Sequence, residues 1–160
     1  MTDLTIDVTK EKPETRNLTI ADGLFILIGV ATAVLRLTEL GKLPLSAAEA
    51  HEALAVWQFW QPGATSTAIG SPAYFTFTAL LTQVFGISDG VMRLAPALFG
   101  VALVLLTWLL RERLSTVGAL ITAVFLTVSP IAVVVSRTAG GDSIALFAAY
   151  LLLIAWVNGR

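Results

Sequence analysis

The chain has no cysteine, so disulfides and thiolate sites are out of reach, and its single histidine, His51, leaves little basis for a zinc cluster or a histidine-based triad. Any chemistry must rest on carboxylates, arginines, hydroxyls and backbone groups. Most of the charges stand at the ends of long uncharged runs, and the residues to weigh are those that do not fit that pattern. Glu49 is the first. It lies in residues 45–60, LSAAEAHEALAVWQFW, a short aromatic-rich stretch between two apolar runs. Ser46 followed by Glu49 is a capping-box pattern, which starts a helix at Ser46. On a wheel of about 100° per residue, Ala53, Val56, Trp57, Phe59 and Trp60 share one side, with His51 and Gln58 opposite. Glu49 falls in the middle of the apolar side, a poor place for a carboxylate that only needs water. This helix is too short and polar to span a bilayer and is expected along its surface, with both Trp at headgroup depth.

The elements that must position such residues follow from composition. Of the 160 residues 56% are apolar and only 13% charged, and mean hydropathy is +0.83, which excludes an ordinary soluble domain. The predicted class is an all-α polytopic membrane protein with about four transmembrane helices and amphipathic surface helices in the first external loop. A net charge of −1 gives no basis for nucleic-acid binding.

Residues 1–19 are polar and of mixed charge and read as a flexible cytoplasmic tail. Residues 20–160 form one membrane module, with an external loop at 41–92. The first apolar run, 20–40, reads as an uncleaved span in spite of a signal-like Ala31-Thr32-Ala33, and Arg36 and Glu39 at i,i+3 are expected to pair. Ser71-Pro72 opens a further apolar stretch to Ile87, with Ser71, Tyr74, Thr78 and Thr82 as a polar stripe. The runs 94–110, 114–136 and 143–159 are each long enough to cross. If 72–87 lies flat there are four spans. The basic residues then divide six inside (Lys10, Lys12, Arg16, Arg111, Arg113, Arg160) to four outside (Arg36, Lys42, Arg93, Arg137). A fifth span makes the split even and puts Glu49 and Asp142 on opposite faces. The charge rule favours four, as do Trp108 and Trp156 at the inner interface.

With these residues placed, the chain resembles the N-terminal part of a C-type-fold membrane glycosyltransferase of family 39, the protein O-mannosyltransferase-like group. The superfamily also includes the lipid A aminoarabinose transferases and the oligosaccharyltransferase catalytic subunit. The resemblance runs over about residues 24–156. It rests on Arg36-Leu37 closing the first span and on Ala48-Glu49 where the family has an acidic pair. Next come the Pro-led helix at Ser71-Pro72-Ala73-Tyr74, then Gly86, Arg93-Leu94, Ala97-Leu98 and Gly100. Ser129-Pro130 and the run from Ser136-Arg137 through Gly140-Gly141 to Asp142 complete it. Two departures stand out. Ala48 occupies the first acidic position, the presumed catalytic one, so Glu49 has to serve alone. Family enzymes also carry more spans, so the chain is expected to be a fragment, a split protein or a subunit.

The resemblance implies transfer of a sugar from a polyprenyl-phosphate-linked donor to an acceptor on the non-cytoplasmic face of the cell (plasma) membrane, with the N-terminus cytoplasmic. Such a reaction needs a base or metal-held carboxylate and cations for the departing phosphate. Glu49 is the candidate catalytic carboxylate and, with Asp142, the candidate ligand pair for Mg²⁺ or Mn²⁺. Asp142 alternatively caps the last span. Arg93 and Arg137 are candidates for the donor phosphate, with snorkelling at the interface as the plain alternative. His51, Trp57, Ser71 and Tyr74 are the candidate substrate-loop residues, though His51 also reads as a solvated surface residue and Trp57 as an interfacial anchor. The partners are the bilayer, the lipid-linked donor and further membrane helices or subunits. The alternative is a small non-catalytic membrane subunit packing through Gly100, Ala102, Gly118, Ala119 and Ala123 against a larger complex. A channel or transporter has little support, since the spans lack interior charges and paired repeats.

Overall fold

The computed structural model describes residues 19–63 and 68–159, so the tail expected at 1–19 lies outside it except for Thr19. Seven α-helices follow in order: α1 (Ile20–Leu37), α2 (Ala47–Phe59), α3 (Pro72–Phe85), α4 (Asp89–Leu106), α5 (Arg111–Val128), α6 (Pro130–Arg137) and α7 (Asp142–Asn158). A 3-10 turn (Thr107–Leu110) joins α4 to α5, and no strand occurs among the described residues. The starts are written locally. Ser46, Ser71, Ser88 and Ser129 each accept a hydrogen bond from the amide three residues on, satisfying an orphan N–H. Pro72 and Pro130 occupy the first helical position, where a missing N–H costs nothing.

α4 is the central helix, packed against α1, α3, α6 and α7. Two apolar clusters flank it. One joins Ala53 and Val56 of α2 to Tyr74, Met92, Ala139 and Ile144; the other joins Phe25, Val104, Ala119 and Ala123. Beside the second, Arg111 bonds Asp22 at 3.0 Å and lies 4.6 Å over the Trp108 ring, clamping the start of α1 to the end of the α4 segment. Many large apolar side chains point outward, among them Leu27, Val117, Ile121 and Ile131, as lipid-facing surfaces require.

Two helical stretches are long and apolar enough to cross a membrane, Ile20–Leu37 and Asp89–Leu110. A third crosses if α5 and α6 count as one bent span. The single span expected at 114–136 is therefore broken, by 60° at Ser129-Pro130, because Pro130 cannot continue the hydrogen-bond ladder. α7 is apolar but shorter, at 17 residues. α3 has 14 residues, a length of about 21 Å against a hydrocarbon core of about 30 Å. Its stripe of Tyr74, Thr78 and Thr82 is buried inward.

Each proline inside the bundle orphans one carbonyl, and a side chain from elsewhere takes it. Pro96 has no N–H for Met92 O, and the Tyr74 hydroxyl donates to that oxygen at 2.9 Å. Pro130 likewise frees Leu126 O, and Arg36 Nη2 donates to it at 2.8 Å. Arg36 is fully buried and also donates through Nε to Ser136 Oγ at 2.9 Å, passing Gly100, where a Cβ would lie 2.4 Å from Ser136 Cβ. The expected Arg36–Glu39 pair does not form: Glu39 bonds Lys42 instead, and Arg36 turns inward to the break.

Tyr74→Phe leaves Met92 O buried and unpaired, so it is expected to lower stability by about 1–3 kcal/mol. Unfolding in detergent followed by circular dichroism, with exposed Thr76→Ala as the control, checks this.

Candidate functional site

The oddly placed Glu49 has its explanation in Arg93, 44 residues on and in the first turns of α4. The pair is bidentate: Arg93 Nε donates to Glu49 Oε1 at 2.7 Å and Nη2 to Oε2 at 2.8 Å. The remaining three N–H groups reach Leu40 O at 2.9 Å, Leu43 O at 2.8 Å and Pro44 O at 3.2 Å. All five guanidinium donors are thus committed to protein acceptors. Glu49 also accepts from Ser46 N at 2.9 Å, completing the predicted capping box, and from Ala139 N at 2.9 Å. The two side chains, Glu49 and Arg93, are 8% and 10% exposed. The Arg93 guanidinium beside it, helped by the Ser46 and Ala139 amides, outweighs burial and holds the Glu49 carboxyl at about 2.

This pair ties the 138–141 loop to α2, and between them opens a cleft of about 580 Å³. Glu49, Glu52 and Asp142 all line it, with Ser71 and Thr138, and Ala48 at its edge. Glu49 and Asp142 therefore share one face of the molecule, and the five-span arrangement that parts them is excluded. Asp142 does not cap α7. Gly141 takes that position, and Asp142 is the first helical residue, its carboxylate making no capping bond. Glycines clear the cleft. A Cβ on Gly70 would lie 2.1 Å from Glu52 Oε1, and one on Gly141 2.1 Å from Ser71 Oγ.

A second, mostly apolar groove of about 240 Å³ shares Glu49 and Thr138 with the first and is lined by Arg137, Arg93, Val133 and Val134. Arg137 donates from Nη1 to Leu35 O at 2.7 Å and from Nη2 to Thr38 O at 3.0 Å, closing the end of α1. Of the residues expected near substrate, Ser71 lines the cleft. Tyr74 is buried in the core, with burial pushing its hydroxyl up to about 12. His51 is exposed and Trp57 is 44% exposed, and neither lines the cleft.

The family model described as dolichyl-phosphate-mannose-protein mannosyltransferase matches residues 70–159, more than half of the chain. The chain belongs to that family. No curated protein and no solved structure matches it. Membership makes this a membrane glycosyltransferase module of the C-type fold, and a mannosyltransferase family of this kind implies a lipid-linked sugar donor. The matched stretch carries Ser71, Arg93, Arg137 and Asp142, while the whole of α2 precedes it.

Glu49 does not fit the role of a Mg²⁺ or Mn²⁺ ligand beside Asp142. Both Glu49 oxygens are engaged by Arg93 and backbone amides, and no group of three or more His, Cys, Asp or Glu able to hold a metal occurs among the described residues. Sequence reading passed over Glu52, although its position four residues after Ala48, on the same helix face, was visible. It also had no means of pairing Glu49 with Arg93.

Glu49 sits below its ordinary value of 4.5, so its share of stability is complete above that pH and is lost as pH falls towards about 2. Unfolding in detergent between pH 6 and 2.5 is expected to show this loss in the wild type. Glu49→Gln should be weaker at neutral pH and flatter across the range; parallel curves would contradict it.

Proposed function

We propose that this module transfers a sugar, mannose by the family's description, from a polyprenyl-phosphate donor to an acceptor hydroxyl on the non-cytoplasmic face of the plasma membrane. The observation that carries the reading is the pairing of two unlike grooves across Glu49 and Thr138. The larger is polar and lined by carboxylates with no basic side chain among its described residues; it suits a sugar and a neutral hydroxyl acceptor and disfavours phosphate. The smaller is mostly apolar and is lined by Glu39, Glu49, Arg93 and Arg137; Lys42 pairs with Glu39 and Arg93 with Glu49, which leaves the Arg137 guanidinium to meet a lipid phosphate.

In this reading 20–160 acts as one module, and 41–92 is the external loop that roofs the site. Arg137 meets the departing phosphate, because Arg93 has no N–H left to offer. Arg93 and Glu49 act by position, holding α2 and the 138–141 loop at the spacing the cleft needs. Asp142 and Ser71 face the sugar.

Transfer is measured with the chain in liposomes, a radiolabelled polyprenyl-phosphate mannose and a hydroxyl-bearing acceptor peptide. Arg137→Ala is expected to raise the KM for donor about tenfold, equivalent to about 1.4 kcal/mol, with a smaller change in kcat. Asp142→Asn is expected to lower transfer at least several-fold. Absence of both donor binding and transfer in the wild type contradicts the proposal.

A further inference from the structure

Position 48 bears alanine, and Ala48 lies at the edge of the acidic cleft with no functional group to offer. Glu49 beside it has both oxygens engaged. Yet the same helix face carries another carboxylate one turn later. Residues four apart on a helix lie above one another, and a long side chain leans back over the turn on its N-terminal side. Glu52 is therefore placed to bring its carboxylate back towards the space that a side chain at 48 would occupy.

We propose that Glu52 is the catalytic base of this module, replacing from one turn further along α2 the acid that Ala48 lacks. The assignment rests on the sugar-transfer reading above. Glu52 lines the cleft and is partly exposed, so its carboxylate stays accessible to a bound acceptor. It is held rather than loose. The Ser71 amide donates to Oε2 at 3.3 Å, and Oε1 lies in the notch that Gly70 leaves, where any Cβ would come within 2.1 Å. No arginine or lysine lines the cleft among the described residues, so no ion pair there competes for the carboxylate.

The step balances with the donor and acceptor alone. The acceptor O–H bond breaks and its proton passes to the Glu52 carboxylate. The oxygen's electron pair forms the new bond to the anomeric carbon. The bond from that carbon to the phosphate oxygen breaks, and its electron pair leaves with the lipid phosphate.

The test uses the full chain in liposomes with the polyprenyl-phosphate sugar and acceptor peptide, comparing wild type, Glu52→Gln, and Glu52→Gln combined with Ala48→Asp. Glutamine keeps an oxygen for the Ser71 amide, and Asp at exposed position 48 suits the first turn of a helix. The expected result is a fall in kcat of about 100-fold or more in Glu52→Gln, with donor KM within about threefold. Ala48→Asp should then restore at least about tenfold, which a purely structural role for Glu52 does not predict. A Glu52→Gln kcat within twofold of wild type, or a loss that Ala48→Asp does not restore, overturns the assignment while leaving the sugar-transfer reading standing. A wild-type chain with no donor-dependent transfer overturns that reading and the assignment with it.

Discussion

The bidentate pair between Glu49 and Arg93 is the contact on which the α2 end of the molecule depends. One guanidinium binds both oxygens of a carboxylate and three carbonyls of the α1–α2 connection. The same carboxylate takes the amides of Ser46 and Ala139. Three pieces of chain that are remote in sequence meet at this point: the α1–α2 connection with the start of α2, the first turns of α4 and the loop before α7. Removing two charges from water is expensive, and such a pair pays its way only when every donor and acceptor is used, as here. Loss of either partner leaves a buried charge without compensation, so the pair specifies one arrangement of the loop and forbids others.

The same accounting of polar groups explains the middle of the bundle. Pro96 and Pro130 each interrupt a helix, and in a lipid setting an orphaned carbonyl has no water to turn to. Tyr74 answers the first and Arg36 the second. Both side chains come from other helices, so each break becomes a point of attachment: α3 to α4 in one case, α1 to the α5–α6 bend in the other. Gly100 has no room for a side chain because Ser136 faces it directly and the Arg36 stem runs alongside. The cleft and the groove share Glu49 and Thr138 as a common wall.

Local patterns were legible in the sequence where the cause is local. The capping box at Ser46 and Glu49, the serine starts, the proline-led helix at Ser71-Pro72 and the apolar runs all act within a few residues. Glu49 on an apolar face could be read as anomalous, and the shared face of Glu49 and Asp142 followed from charge distribution. What failed depended on distant chain. Arg36 and Glu39 satisfy a pairing rule for exposed helix surfaces, but the carbonyl freed by Pro130 lies 90 residues away and wins the guanidinium. Arg93 looked available for phosphate because its five acceptors are scattered over the α1–α2 connection and α2. Glu52 shares the apolar side of α2 with Glu49, between Val56 and Phe59, but what holds its carboxylate, the 70–71 segment, lies 18 or more residues further on and shows only once that segment is folded over it.

Whether the Glu49–Arg93 contact organises the loop is measured most directly by a double-mutant cycle. Glu49→Gln, Arg93→Gln and the double substitution are compared by SDS titration of the folded chain. A coupling of about 2 kcal/mol or more is predicted, the two single losses together exceeding that of the double variant. Losses that add to within about 0.5 kcal/mol would contradict it, and the 41–92 segment would then need another anchor.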